Sequence, residues 1–78
     1  MTTVTLNDGS PADSGSSAWR EECLARANHV SAMRPLPLQL RRQYLATVER
    51  LEGQTAAQRL RDAFSADWQR RQGDEAKV

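Results

Sequence analysis

Two short stretches, Arg34-Pro35-Leu36-Pro37 and Gly53-Gln54-Thr55, decide how this chain is read. Proline locks its own φ and pushes the residue before it out of the helical region, so a helix arriving at Arg34 has to stop there. Glycine tolerates the left-handed backbone common just past a helix end, which makes Gly53 a second stop. Apolar residues recur at helical spacing on either side of both stops. The reading is all-α: a three-helix bundle made of a helix, a proline-rich turn and a helical hairpin.

The first helix is expected from Ser17 to about Met33, capped by Ser16 or Ser17. At about 100° per residue, Trp19, Cys23, Ala27, Val30 and Met33 share one face, which predicts a buried, inert Cys23 thiol. The second helix starts near Pro37 or Leu38, because proline suits the first helical position. Its apolar arc is Leu40, Tyr44, Leu45, Val48 and Leu51. The third opens at Thr55-Ala56-Ala57-Gln58, a capping-box pattern, and is expected to stop at Gly73. It presents Ala56, Ala57, Leu60, Ala63, Phe64 and Trp68 on one side. The short link at Gly53 favours an antiparallel hairpin of the second and third helices. Trp19 and Trp68 are expected to contribute most to burial.

The chain divides into an arm over residues 1–16, a helical domain over 17–72 and a polar tail over 73–78. The arm is rich in Thr, Ser, Asp and Gly, with Met1, Val4 and Leu6 its only larger apolar side chains. Such a segment is expected to be disordered. The alternative is that Thr3-Val4-Thr5-Leu6 adds a strand to a partner's sheet. A core of this size supplies only about 3–5 kcal/mol. Cys23 is the single cysteine, so no internal disulfide and no zinc site can reinforce it. A homodimer or an obligate partner is therefore expected.

The net charge of +1 conceals a split. Residues 17–72 carry ten arginines against six acids, a balance of +4, while the ends carry Asp8, Asp13, Asp74 and Glu75 against Lys77. A mildly basic core of this kind suits an acidic partner more than it forms a nucleic-acid stripe. An arginine-rich face of Arg41, Arg42 and Arg50, with Arg59 across the Gly53 turn, is the expected partner-binding surface. Three charges fall inside apolar stripes: Arg26, Arg41 and Asp67. A buried charge needs a partner, so Asp67 is expected to reach Arg26 or Arg41 between helices. The local alternatives are Glu22 with Arg26 and Asp67 with Arg71.

Catalysis is not expected. His29, the one histidine, lies six residues beyond Cys23 and about 120° around the helix, so the two cannot act as nucleophile and base within it. No HExxH, GxSxG, phosphate-loop or dinucleotide motif occurs, and no metal or cofactor is implied. No apolar run is long enough to span a membrane. An unpaired cysteine without an apolar leader fits a reducing cytoplasm. The rival function is nucleic-acid binding or transcriptional regulation, since Thr55-Ala56-Ala57-Gln58-Arg59-Leu60 resembles the opening of a helix-turn-helix. Arg61-Asp62-Ala63-Phe64 then continues as helix where that motif would turn.

Trp19-Arg20-Glu21-Glu22-Cys23-Leu24-Ala25-Arg26, Met33-Arg34-Pro35-Leu36-Pro37, Arg41-Arg42-Gln43-Tyr44-Leu45, Val48-Glu49 and Gly53 belong together as a set. The set resembles small uncharacterised proteins of proteobacterial phages and prophages, over roughly Trp19 to Trp68. The resemblance implies an accessory protein that binds and modulates a host protein, such as a defence or signalling component. It transfers no catalytic or binding residue.

Overall fold

The computed structural model describes residues 2–76; Met1 of the expected arm and the last two residues of the expected tail lie outside that range. The order of elements is β1 (Thr3–Thr5), β2 (Pro11–Asp13), α1 (Ser17–Met33), α2 (Leu38–Glu52) and α3 (Gln54–Ala76). The chain is mostly helical, with a small two-stranded antiparallel sheet in front.

That sheet corrects the expectation of a disordered arm. Val4 faces Ala12, and the strands turn through Asn7-Asp8-Gly9. Gly9 has φ +90°, its N–H donates to the Leu6 carbonyl at 3.0 Å, and Leu6 N–H donates to Ser10 at 2.8 Å. This is the three-residue hairpin in which a glycine closes the turn in the left-handed region. Asp8 accepts from the Ser10 hydroxyl and backbone, which holds its carboxyl below the ordinary 3.8. The strand at Thr3–Thr5 exists, but its partner is its own chain.

The hairpin runs directly into α1. Ser16 donates its N–H to Asp13, and its hydroxyl accepts from Trp19 N–H at 3.3 Å, as an N-cap should. Arg34-Pro35-Leu36-Pro37 then connects α1 to α2, with Leu36 N–H on the Met33 carbonyl. Gly53 alone separates α2 from α3, at φ +99° and ψ 168°. Its N–H closes α2 on Glu49, and its carbonyl accepts from Ala57 to open α3. The expected capping box at Thr55 is thereby displaced. Helix α3 begins one residue earlier, and the Gln58 side chain donates to Asp62 instead. Nor does Gly73 end α3, which continues to Ala76.

Helix α3 packs against both other helices. Arg41 at the start of α2 meets Trp68 late in α3, while Val48 packs with Ala56, Ala57 and Leu60, so α2 and α3 run antiparallel. Arg59 reaches Glu22 and Asp67 reaches Arg34, so α1 and α3 run parallel. The buried core is Val30, Met33, Val48, Ala56, Ala57 and Leu60, with Tyr44, Leu45, Ala63 and Phe64 packed on it. Small residues in the first turns of α3 let its neighbours approach closely. The molecule is flat, with extents of 40 × 30 × 14 Å, so its interior is a single seam.

Two faces differ from those read off the sequence. On α1 the half-buried or buried positions are Trp19, Glu22, Arg26, His29, Val30 and Met33. Cys23 and Ala27 are exposed, so the thiol is not a core group. On α3 the seam position falls to Asp67, and Trp68 stands at the edge, 42% exposed. Leu24, Leu38, Leu40 and Leu51 are exposed as well.

Candidate functional site

Three polar constellations and one aromatic edge are built on this frame. The first centres on Asp67. Its carboxylate accepts from Arg34 through both Nε, at 3.1 Å, and Nη2, a two-point contact across the α1–α3 seam. Arg71 Nη1 and Arg70 Nη2 stand 3.8 and 3.9 Å away on the same helix. The Arg34 hydrogen bonds hold the Asp67 carboxyl below its ordinary value, against the opposing effect of burial, and the same bonds raise the Arg34 guanidinium. Asp67 is thus the buried, paired charge expected from the sequence, but neither Arg26 nor Arg41 is its partner. Arg34 wins because it caps α1 and reaches across the end of the seam, while the other two are held elsewhere. The local Asp67–Arg71 pair coexists with it.

The second constellation fastens the hairpin. Glu22 accepts from the Asn7 N–H at 2.6 Å, and Arg59 Nη1 donates to Asn7 Oδ1 at 3.0 Å and to Glu22 Oε2 at 3.5 Å. Arg26 approaches Glu22 at 3.9 Å and lies over the Trp19 ring, which Arg59 also approaches. The Arg26 Nη2 is buried without a hydrogen-bond partner. The third is a chain across α1 and α2. His29 Nδ1 meets the Tyr44 hydroxyl and Nε2 meets Glu52 Oε2 at 2.9 Å. A neutral ring suits both, donating to Glu52 and accepting from Tyr44. Burial, with Glu52 second, pushes the Tyr44 hydroxyl above its ordinary 10.0.

The aromatic edge lies where α2 begins and α3 ends. Phe64 and Trp68 stack at 6.4 Å with 28° between rings, and the Arg41 guanidinium lies 5.2 and 5.5 Å from their centroids. Arg41 Nε is buried with no hydrogen-bond acceptor, so the ring faces are its main partners. Leu38 and Leu40, 54% and 45% exposed, precede Arg41 on the same helix.

The four arginines expected on one partner-binding face are therefore divided. Arg42 and Arg50 are exposed on α2. Arg41 is half-buried against the aromatic pair, and Arg59 is turned inward to the hairpin. Composition could not separate them, because their roles depend on which neighbours the fold supplies. The signal for the aromatic edge was present as Phe64 and Trp68 one turn apart, opposite Arg41. Among the described residues, no group of three or more His, Cys, Asp or Glu side chains is placed to hold a metal, and no helix is long and apolar enough to cross a membrane.

Residues 12–71 match a family of unknown function, DUF7696. The chain belongs to that family. The match takes in β2 from Ala12 and all of α1 and α2, and reaches Arg71 in α3; β1 and the Asn7 turn precede it. No curated protein and no solved structure matches the chain.

Proposed function

We propose that this DUF7696 protein is a non-catalytic protein-interaction module whose contact surface is the α2–α3 edge around Trp68. The observation that carries the reading is the stacked Phe64–Trp68 pair, in which Phe64 is packed on the core and Trp68 is exposed, with the half-buried Arg41 against both rings. Tryptophan, phenylalanine and arginine are the side chains enriched where proteins bind one another. Leu38 stands one helical turn before Arg41 and is exposed, and Arg42 follows Leu38 by one turn as a rim charge. Rim arginines speed encounter with an acidic surface and exclude like-charged competitors.

The partner is a protein with an acidic margin around an apolar pocket. The resemblance to phage and prophage accessory proteins makes a bacterial host protein the first place to look. The exposed Trp68 on this edge also supports self-association through it. The test is affinity capture from a bacterial lysate with the wild type, Trp68→Ser and Arg42→Glu side by side. Light scattering of each purified protein reports self-association. The expected result is a specific partner, or a second copy, retained by the wild type and lost by Trp68→Ser while helical content is unchanged. Identical captured sets and identical masses for all three proteins would overturn the reading.

A further inference from the structure

A groove of about 290 Å³ runs between α1 and α3, sharing Arg26 with the hairpin fastening. Arg26, Arg34 and Arg70 line it, and Asp67 is the one carboxylate among its lining residues. Arg71 stands 3.8 Å from the same carboxylate, one turn on along α3. Asp67 is 7% exposed and already accepts two hydrogen bonds from Arg34, so one buried acid faces several guanidinium groups. Among the described residues the local balance is positive: Arg26, Arg34, Arg70 and Arg71 stand against Asp67 and against Glu22, which Arg26 approaches from outside the groove. Ala27, Val30 and Ala63 supply an apolar wall between the arginines.

We propose that this groove is an oxyanion site that takes a small phosphate-bearing ligand, of the phosphomonoester or pyrophosphate class. Arg34 is the anchor. Its Nε and Nη2 are fixed on Asp67, so the guanidinium plane is held in place before a ligand arrives, and its remaining N–H groups face outward on a side chain that is 43% exposed. Arg70, 78% exposed, closes over the bound group from α3. Two arginines at an angle match the several oxygens of a phosphate better than the two of a carboxylate. The Ser31 hydroxyl lines the same wall and adds a neutral donor.

Two features oppose an anion here, and both are limited. Asp67 repels it, but that charge is spent on Arg34. The carbonyl end of α1 carries partial negative charge, and two of those carbonyls, on Val30 and Met33, are already taken by the N–H groups of Arg34 and Leu36. The volume stands at the low end of ligand pockets, about 300–1,000 Å³, which favours a compact group. The charge is gathered at one point and not drawn out as a stripe, which favours a single phosphate cluster over a nucleic-acid backbone.

The experiment titrates the full chain with inorganic pyrophosphate and with inorganic phosphate, at ionic strength matched by chloride. Calorimetry reads affinity, and the arginine Nε–H signals in NMR read location. The expected result is saturable one-to-one binding that moves the signals of Arg34 and Arg70. Arg70→Ala weakens it about tenfold or more without lowering the thermal midpoint, because Arg70 is exposed and its contact with Asp67 is long. Arg42→Ala, on α2, leaves the affinity unchanged, as does Trp68→Ser, which separates this site from the protein-binding edge. Unsaturable binding, equal losses in Arg70→Ala and Arg42→Ala, or tighter binding of a duplex DNA oligonucleotide than of pyrophosphate would each overturn the proposal.

Discussion

Leu60 and Trp68 lie about two turns apart on α3, and cutting each back to alanine tests where the core ends. Leu60 is 1% exposed and sits among Val30, Met33 and Val48. Leucine to alanine at such a site costs about 2–5 kcal/mol, from lost transfer energy and the cavity left behind. A domain of this size has about 3–5 kcal/mol to lose, so Leu60→Ala leaves the chain close to its unfolding midpoint at room temperature. Trp68 is the larger side chain, and full burial would make its truncation cost about 3–5 kcal/mol. It is 42% exposed, so rather more than half of that applies. The expected loss is about 2 kcal/mol, with the Phe64 stack and the Arg41 contact included. The order is the reverse of residue size. Urea unfolding followed by far-ultraviolet circular dichroism measures it, at two protein concentrations, with the denaturant slope expected to stay the same. If Trp68→Ala costs as much as Leu60→Ala in dilute protein, the seam has been placed on the wrong face of α3. If its cost grows only with concentration, Trp68 is buried between chains, as the proposed function anticipates.

Four further outcomes follow from named contacts. Asp67 titrates below its ordinary 3.8 in the folded chain, so its contribution is present above that pH and lost as pH falls through the folded value. The gap in thermal midpoint between wild type and Asp67→Asn should therefore be wide near neutrality and narrow as pH falls below 3.8; a gap independent of pH would deny the Arg34 pair. Gly53 occupies a backbone region that is almost glycine-only, with open space where a Cβ would go. Gly53→Ala should cost about 1–3 kcal/mol through backbone strain alone, and a neutral result in urea unfolding would contradict the sharp α2–α3 turn. Cys23 is exposed, so a thiol reagent should modify it in native buffer at the rate it shows in urea, whereas protection would return it to the core. Glu22→Ala releases Asn7 and Arg59 together, and amide exchange at Leu6 and Ser14 should quicken while the helices keep their protection.

The helix boundaries were legible because proline and glycine act through local sterics, which need no tertiary partner. Residues 17–33 and the stop at Gly53 could be read for that reason. The cap of α3 was misread by two residues, since Gly53 already supplies the carbonyl that opens it and leaves Thr55 nothing to cap. The hairpin was legible in principle: Asn7-Asp8-Gly9 is turn chemistry, and Val4 and Ala12 flank it in register. It was missed because its few apolar residues suggested too little burial, whereas the hairpin is fastened by the charged pair Glu22 and Arg59. The faces of α1 and α3 were read in part: Arg26 and Asp67 were placed inside the stripes, but Cys23, Ala27 and Trp68 were given seam positions that they do not hold, and Glu22 and His29 were left off the seam. Glu22, Arg26, His29 and Asp67 occupy the seam because each meets a ring, a charge or a hydrogen-bond partner on another element or a neighbouring turn. Such partners are separated by up to tens of residues and leave no trace in a periodicity.

Those polar seam positions also explain how so little apolar surface specifies one arrangement. Along α1 and α3 the seam begins at Glu22 and Arg59, passes through Val30, Met33 and Leu60, and ends at Arg34 and Asp67. One apolar layer lies between two charged clasps. Burying such charges contributes little net stability, because desolvation offsets most of the attraction. Their effect falls on the alternatives. Sliding α1 by one turn would still cover much of the greasy layer, since Val30, Met33, Trp19 and the alanines of α3 tolerate repacking. The same slide would carry Arg34 off Asp67 and Glu22 off Arg59, leaving the Asp67 carboxylate inside the seam with only the longer contacts of Arg70 and Arg71 on its own helix. The penalty attaches to the wrong register and not to the right one. A core too small to be selective by shape is made selective by charge, and the Arg34 end of that device is the groove in which the surplus arginines meet solvent.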